Sequence, residues 1–226
     1  MPSSSAPSIL YLHGFASSPN SSKARFLEER LLAMGLSLRA PDLNAPSFRE
    51  LTLTAMIERV GEEILKCPPG PVYLIGSSMG AMVALHAADR LPEPLRGRIQ
   101  RMLFLAPGFD FVRNREVTLG REGIEEWKRT GSRRYFHYGY GEEREVGYQL
   151  MQDMAGYDSF AIAIRNPILV FHGLRDETVN YRQSERFAAR SPLIELRLVD
   201  SDHSLYDHIE VIWSAMVEFF GLERRE

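Results

Sequence analysis

The sequence predicts an α/β protein in which helices cover both faces of a mostly parallel sheet of about six strands. Short apolar runs alternate with amphipathic helical patterns along the 226 residues, as they do in sheets built from strand–helix units. Four runs are continuously apolar, which is typical of central strands buried on both faces. Two runs alternate between apolar and polar residues, which indicates edge strands. The apolar runs are 9–12, 72–75, 102–106 and 168–171, and the alternating ones are 36–40 and 194–199.

Helical patterns occupy the intervals between these strands. After the first strand, apolar residues recur three and four positions apart from Phe26 to Met34, and Gly35 ends the pattern. Further patterns of this kind predict helices over about 51–66, 79–89, 181–189 and 206–220.

The bulk composition fits one domain over residues 1–226, with an insertion at about 109–166. Hydrophobic residues make up 44% and charged residues 25% of the chain, which is ordinary for a globular protein. A net charge of −3 gives no reason to expect a nucleic-acid or membrane partner. Cys67 is the only cysteine, so neither an intrachain disulfide nor a cysteine-based zinc site is expected.

The first eight residues read as a polar tail. They contain neither the basic nor the apolar region of a secretory signal peptide, and no stretch of the chain has the length of a membrane-spanning helix. A cytoplasmic location is the resulting expectation.

The insertion at 109–166 does not follow the strand–helix rhythm. Structureless segments of this length are uncommon, so we expect a small helical cap with helices near 121–130 and 142–154. Most of its aromatic residues are expected to pack the cap onto the core. One or two of them should line a substrate pocket, with Tyr135, Phe136 and Tyr138 as the candidates.

The strongest motif is Gly76-Ser77-Ser78-Met79-Gly80, which follows a buried strand and opens a helix rich in small residues. This is the G-x-S-x-G nucleophile elbow, a sharp turn that lifts the serine hydroxyl clear of the backbone. The glycines at positions 76 and 80 avoid side chains that would clash there. Ser78 is therefore the predicted nucleophile.

A serine alcohol needs a base within hydrogen-bond reach, and His203 is the best candidate among the six histidines. It lies in the loop just after the last strand, and the chain order Ser…Asp…His matches that of elbow-type hydrolases. The other five histidines end strands, lie within helices or fall in the insertion. They are His13, His86, His137, His172 and His208.

An acid must orient the imidazole and stabilise its protonated form. Asp176 follows the strand at 168–171 by a few residues and is the first choice. Glu177 is the second choice because of its longer side chain, and Asp110, after the strand at 102–106, is the main competitor. Asp202 is too close in sequence to His203 to orient it.

Acyl transfer also needs two donors for the developing oxyanion. The backbone N–H of Met79, directly after the nucleophile, is the first candidate. The backbone N–H of Phe15, in the loop after the first strand, is the second, and Gly14 lets that loop approach closely. The scattered histidines predict no metal site, and the absence of G-x-G-x-x-G and P-loop patterns predicts no nucleotide cofactor.

Four motifs occur in an order that resembles the α/β-hydrolase superfamily over nearly the whole chain. They are His13-Gly14-Phe15, Gly76-Ser77-Ser78-Met79-Gly80, His172-Gly173-x-x-Asp176 and Asp202-His203. The stretch from Leu12 to Ala24 also resembles the small bacterial YqiA-like esterases. In a superfamily sheet that begins at its third strand, the fourth and eighth strands are the edges, and these correspond to the two alternating runs. The resemblance implies an α/β-hydrolase fold and a triad of Ser78, Asp176 and His203.

One departure concerns the oxyanion loop. The single Gly14 differs from the Gly-Gly-Gly form of hormone-sensitive-lipase-like enzymes, which disfavours their type of loop. The fold alone does not choose a substrate.

The sequence thus predicts a serine hydrolase that cleaves a small-molecule ester or thioester of a small-to-medium acyl group through an acyl-enzyme. The alternative is a peptidase or amidase with the same triad. In that case a basic cluster in the insertion would bind a carboxylate: Lys128, Arg129, Arg133 and Arg134. A binding protein on a hydrolase scaffold is less favoured because candidates for all three triad positions are present. The oligomeric state stays open.

Overall fold

The structure is a computed structural model that describes residues 6–223; residues 1–5 of the predicted polar tail lie outside this range. A parallel sheet of six strands forms its centre, in the order β2-β1-β3-β4-β7-β8. Two further strands, β5 and β6, pair as a separate antiparallel hairpin. The strands are β1 (Ser8–Leu12), β2 (Leu38–Arg39), β3 (Val72–Ser77), β4 (Ile99–Leu105), β5 (Ser132–His137), β6 (Glu142–Gly147), β7 (Ile168–Gly173) and β8 (Ile194–Val199).

The edge strands are β2 and β8, the two runs whose alternation indicated exposure of one face. The predicted fold class, a mostly parallel sheet of about six strands flanked by helices, is confirmed. Because all six strands run in the same direction, their carboxyl ends meet along one rim, where α/β sheets usually bind their ligands.

Two apolar layers sandwich the sheet. Successive side chains of each central strand point to opposite layers: Leu10 and Leu74 face one, and Ile9 and Ile75 face the other. Helices α2 and α3 contribute to the first layer, and α1 and α8 to the second. The helices are α1 (Ser22–Ala33), α2 (Leu53–Leu65), α3 (Met79–Arg90), α4 (Glu93–Arg96), α5 (Phe111–Thr130), α6 (Gln149–Met154), α7 (Arg182–Ala188) and α8 (Ile209–Phe220).

Local sequence signals fix where several helices begin and end. The hydroxyl oxygens of Ser21 and Thr52 accept hydrogen bonds from backbone N–H groups three residues later, which caps α1 and α2. Helix α8 ends at Gly221, whose left-handed φ of 62° favours glycine. Among residues 6–223, no helix is both long and apolar enough to cross a bilayer.

The insertion differs in part from the expectation. Helix α5 contains the predicted helix at 121–130 and kinks at Gly120, where φ is 64°. The prediction of a helix over 142–154 is wrong for 142–147, which form β6, and only α6 is helical there. The strand forms because β6 pairs along its whole length with β5, and Arg134 lies 3.9 Å from the carboxylates of both Glu143 and Glu145.

Candidate active site

Ser78 lies at the turn between β3 and α3, with φ 53° and ψ −118°. A positive φ at a non-glycine residue costs about 1–3 kcal/mol and persists only where the surroundings enforce it. Both flanking glycines are required by close backbone contacts. A Cβ at Gly76 would lie 2.5 Å from the Cα of Ala81, and one at Gly80 would lie 2.0 Å from the carbonyl oxygen of Leu12. The motif therefore forms the sharp elbow that its sequence predicts.

Three predicted site residues meet at the carboxyl ends of β3, β7 and β8. The Oγ of Ser78 lies 3.1 Å from Nε2 of His203, and Nδ1 of His203 lies 2.7 Å from Oδ2 of Asp176. His203 is 28% exposed, whereas the Asp176 side chain is fully buried. The arrangement gives the hydroxyl a base and gives that base a carboxylate on its far side.

Asp176 is held by more than His203. Its Oδ1 accepts hydrogen bonds of 2.8 Å from the backbone N–H groups of Thr178 and Val179. Burial favours the neutral carboxyl, but the hydrogen bonds from His172 and His203 outweigh it and hold the pKa of Asp176 well below its ordinary value. Asp176 is therefore a carboxylate at any pH at which an imidazole base is neutral.

The motif that contains His172 predicted no role for it, but its side chain supports the carboxylate of Asp176. Its Nε2 lies 3.0 Å from both Oδ2 of Asp176 and the carbonyl oxygen of Val179. Since both of these neighbours are acceptors, Nε2 carries the hydrogen. Its Nδ1 lies 2.7 Å from the hydroxyl of Ser184 in α7. The sequence feature that could have identified His172 is its position at the end of β7, four residues before Asp176.

The competing acids lie elsewhere. Asp110 forms an ion pair of 2.6 Å with Arg186. Asp202 accepts hydrogen bonds from the N–H and hydroxyl of Ser204, and Glu177 is exposed to solvent. Of the four acids considered, Asp176 is the one hydrogen-bonded to His203.

The two predicted oxyanion donors flank Ser78. The residues Phe15 and Met79 line a small chamber together with it. Within residues 6–223, neither backbone N–H donates a hydrogen bond, and that of Met79 has no partner inside its own helix because it lies in the first turn. A Cβ at Gly14 would lie 3.2 Å from that of Ser78, so glycine lets the loop approach the nucleophile.

Ser78 opens onto a cavity of about 1200 Å³ and onto the small chamber of about 250 Å³. The three cap residues predicted as pocket candidates all line the larger cavity: Tyr135, Phe136 and Tyr138. None of the four residues in the basic cluster at 128–134 lines either space. Arg115 from α5 lines both, and no sequence pattern distinguishes it from the other arginines of the insertion.

Lys23 connects the loop of His203 to α1. Its Nζ donates a 2.8 Å hydrogen bond to the carbonyl oxygen of Ser204, the residue after the base. Burial lowers the pKa of Lys23 to about 8, while the charges of Asp202 and Asp176 oppose that shift. In the described part of the chain, no group of three or more His, Cys, Asp or Glu side chains is placed to hold a metal ion.

Comparison with known proteins agrees with this fold. A family model described as "Uncharacterised protein family (UPF0227)" matches residues 8–221. The palmitoyl-protein thioesterase ABHD10, mitochondrial, of Rattus norvegicus is 25% identical over 219 residues, which cover 91% of this chain and 71% of that protein.

Solved structures share the architecture. A putative hydrolase from Agrobacterium vitis S4 has a TM-score of 0.81 at 23% identity, covering 95% of this chain and 88% of that one. The alpha/beta hydrolase domain-containing protein 10 from mouse has a TM-score of 0.79 at 22% identity, with coverage of 96% and 91%. At these identities the two structures show a common fold.

Proposed function

We propose that this chain, which belongs to the UPF0227 family and has an α/β-hydrolase fold, is a serine hydrolase that cleaves carboxylic esters or thioesters. The acyl group would be small to medium in size and would be carried on Ser78 as an acyl-enzyme. The observation that carries this proposal is the chain of contacts from Ser78 through His203 to Asp176, at 3.1 and 2.7 Å.

In the first half of the reaction, Oγ of Ser78 attacks the carbonyl carbon while Nε2 of His203 takes its proton. The carboxylate of Asp176 stabilises the imidazolium that forms, and it remains charged because its pKa is lowered. The carbonyl oxygen becomes an oxyanion and accepts hydrogen bonds from the N–H groups of Phe15 and Met79. When the carbon–heteroatom bond breaks, His203 gives its proton to the departing alcohol or thiol.

The second half repeats these steps with water. His203 removes a proton from a water molecule, which attacks the acyl carbon, and the proton then passes to Oγ of Ser78 as the ester bond breaks. The products are a carboxylic acid and the free enzyme. No redox step or cofactor enters this balance.

Two observations support an ester or thioester over an amide. The relative from rat is named as a thioesterase. The basic cluster that would bind the carboxylate of a peptide substrate lies outside both spaces beside Ser78. A non-catalytic binding protein is disfavoured because the three polar side chains are aligned from nucleophile to acid.

Replacement of Ser78 tests the proposal. The Ser78→Ala variant should lose at least about 10⁴-fold in turnover of p-nitrophenyl acetate, because removal of an activated serine costs up to about 10⁶ in comparable triads. A fluorophosphonate probe should label wild-type protein at Ser78, as located by mass spectrometry of the digest.

The neighbouring serine supplies the matched control. The Ser77→Ala variant keeps the elbow and should retain turnover within a few-fold of wild type and retain labelling. Near-wild-type turnover by Ser78→Ala, or labelling at another residue, would contradict the assignment.

A further inference from the structure

Arg115 lies within an aromatic enclosure beside the nucleophile. Its guanidinium carbon is 5.3 Å from the ring centre of Phe15, 5.0 Å from that of Phe111 and 5.4 Å from that of Tyr135. Within residues 6–223, no carboxylate is close enough to form an ion pair with it, and no acidic residue contributes to its pKa, which burial lowers. A guanidinium in this setting keeps its charge and its donors.

Two polar atoms of this enclosure have no partner. Nε of Arg115 and the hydroxyl of Tyr135 are both buried without a hydrogen bond to any described residue. Burial raises the pKa of the Tyr135 hydroxyl, and the guanidinium groups of Arg115 and Arg133 both lie near enough to oppose that effect, but no hydrogen bond of ordinary geometry joins either of them to the hydroxyl. Buried unpaired donors destabilise a fold, and a ligand that accepts hydrogen bonds from them would explain why they are kept.

The other cations of the cavity wall are engaged. Lys23 donates to the carbonyl oxygen of Ser204, and Arg175 pairs with Asp200 at 2.8 Å and lies 3.9 Å from Asp207. Glu177 is the acidic residue among those that line the small chamber; it is exposed, so water screens its charge. Arg115 is thus the cation of this wall whose charge is available to a substrate.

The position of Arg115 relative to the base identifies the part of the substrate that it meets. The leaving group must receive a proton from His203, which lines the large cavity but not the small chamber. The acyl group then extends toward the small chamber, whose wall contains Ser78, Met79 and Arg115. At about 250 Å³, this chamber is smaller than the roughly 300–1,000 Å³ of sites for drug-sized ligands, so it suits a short acyl group.

We propose that Arg115 binds a carboxylate at the far end of the acyl group, and that the substrates are monoesters or monothioesters of short dicarboxylic acids. A planar guanidinium binds a carboxylate through two parallel hydrogen bonds. Water cleaves the ester bond and releases the dicarboxylate and the alcohol or thiol. The inference rests on the proposed serine hydrolase and specifies its substrate class.

Two ethyl esters of matched length test this specificity. Monoethyl glutarate ends in a carboxylate where ethyl pentanoate ends in a methyl group, and the ethanol released from each is measured by a coupled assay. Wild type should have the higher kcat/KM for monoethyl glutarate. The Arg115→Gln variant should lose roughly ten- to a hundredfold in kcat/KM for monoethyl glutarate, mainly through a higher KM. Loss of a hydrogen bond between charged groups has an effect of this size. The variant's kcat/KM for ethyl pentanoate should stay within about threefold of wild type.

Two further variants separate recognition from folding. Arg115→Lys should recover part of the preference for the half-ester, because the charge is kept while the fork is lost. Arg113→Gln, two residues earlier on α5 and exposed in the wall of a separate cavity, is the control and should behave as wild type.

Binding of glutarate to the Ser78→Ala variant, measured by calorimetry, makes the test independent of catalysis. Glutarate should bind, and adding Arg115→Gln should weaken binding by about tenfold or more. The proposal is overturned if wild type shows no preference for the half-ester, if Arg115→Gln affects both esters equally, or if glutarate binding ignores Arg115. By contrast, undiminished p-nitrophenyl acetate turnover by Ser78→Ala would overturn the serine mechanism itself, while the calorimetry would still decide the role of Arg115.

Discussion

Two regions of the molecule treat their buried polar groups in opposite ways. In the rim, defined as Ser78, His172, Asp176 and His203, each polar side chain has a hydrogen-bonding neighbour within 3.1 Å. In the cap interface, where α5, β5 and the residues after α6 meet the core, four side chains bury at least one polar atom without a partner. They are His86, Arg115, Tyr135 and His137.

The difference indicates how work is divided between the two regions. In the proposed mechanism, a fully bonded rim holds its charges in place before substrate arrives, so that the transition state would be stabilised without reorganisation. Unpaired buried groups in the cap interface cost stability. They are tolerated there because Trp127 and its aromatic neighbours supply apolar packing. We therefore propose that the rim carries out the chemistry, and that the cap interface determines selectivity and acid sensitivity.

The largest expected effect comes from altering the rim. In an Asp176→Asn variant, the amide nitrogen can donate to Nδ1 of His203, which moves the imidazole hydrogen to Nε2 and prevents that atom from accepting the proton of Ser78. Such a substitution costs about 10⁴ in kcat in a comparable triad. Steady-state turnover of p-nitrophenyl acetate measures it.

The control is Asp110→Asn, which changes the main competing acid. Because Asp110 pairs with Arg186 and does not contact His203, its replacement should change turnover by less than about threefold. Equal losses for the two variants would contradict the assignment of the acid, and a larger loss for Asp110→Asn would reverse it.

A smaller effect, on stability, is expected from breaking the packing of the cap. Trp127 is fully buried, and its Nε1 donates a 3.1 Å hydrogen bond to the carbonyl oxygen of Val146 in β6. Trp127→Ala should lower the free energy of unfolding by about 3–5 kcal/mol. Urea denaturation followed by far-ultraviolet circular dichroism measures this loss.

Trp213→Ala on α8 is the matched control. Its side chain is half-buried against the other face of the sheet, so it should cost less than Trp127→Ala. If the two variants lose the same stability, the cap is not a separately important packing unit. In that case the rim and the cap interface would differ only in how their buried polar groups are paired, and not in how much their packing contributes to stability.

The same contrast explains which features the sequence could predict. The positions of Ser78, Asp176 and His203 follow from strand order, because parallel strands place their carboxyl ends at one rim and each residue follows a strand. The elbow motif also contains two glycines, which are required because neighbouring backbone segments approach them closely. Local patterns therefore carry enough information to bring these three residues together.

The cap depends on pairing that no local pattern shows. Residues 142–145, Glu-Glu-Arg-Glu, have high helix propensity, but pairing with β5 overrides it. The surroundings of Arg115 and His172 arise from neighbours distant in sequence or from a loop geometry that only the folded chain reveals. Sequence reasoning thus found the residues whose place the sheet dictates and missed those whose place tertiary packing dictates.

Lowering the pH should have the smallest of the expected effects on stability, and it should affect the two regions over different pH ranges. His86 of α3 is fully buried in the cap interface, with Nε2 3.2 Å from the hydroxyl of Ser159 and its ring edge-on to Tyr157. Burial lowers the pKa of His86 to about 4, and the charge of Arg90 adds to that shift while Asp158 opposes it. Between about pH 6.5 and 4 the unfolded chain therefore binds the proton and the folded one does not. Stability should fall over that window by up to about 3 kcal/mol.

The contribution of the rim to stability changes over a lower pH range than that of the cap interface. The lowered pKa of Asp176 stabilises the fold above the unfolded value of about 3.9, so that contribution is lost only as the pH falls below it. A His86→Phe variant should flatten the decline in unfolding free energy between pH 6.5 and 4, measured by urea titration at each pH. Some slope should remain, because burial also lowers the pKa of His137. The loss below pH 4 should be unchanged. Coincident curves for the variant and wild type would show that the cap interface does not hold the acid-sensitive group, and a change confined to pH values below 4 would place His86 in the energetics of the rim.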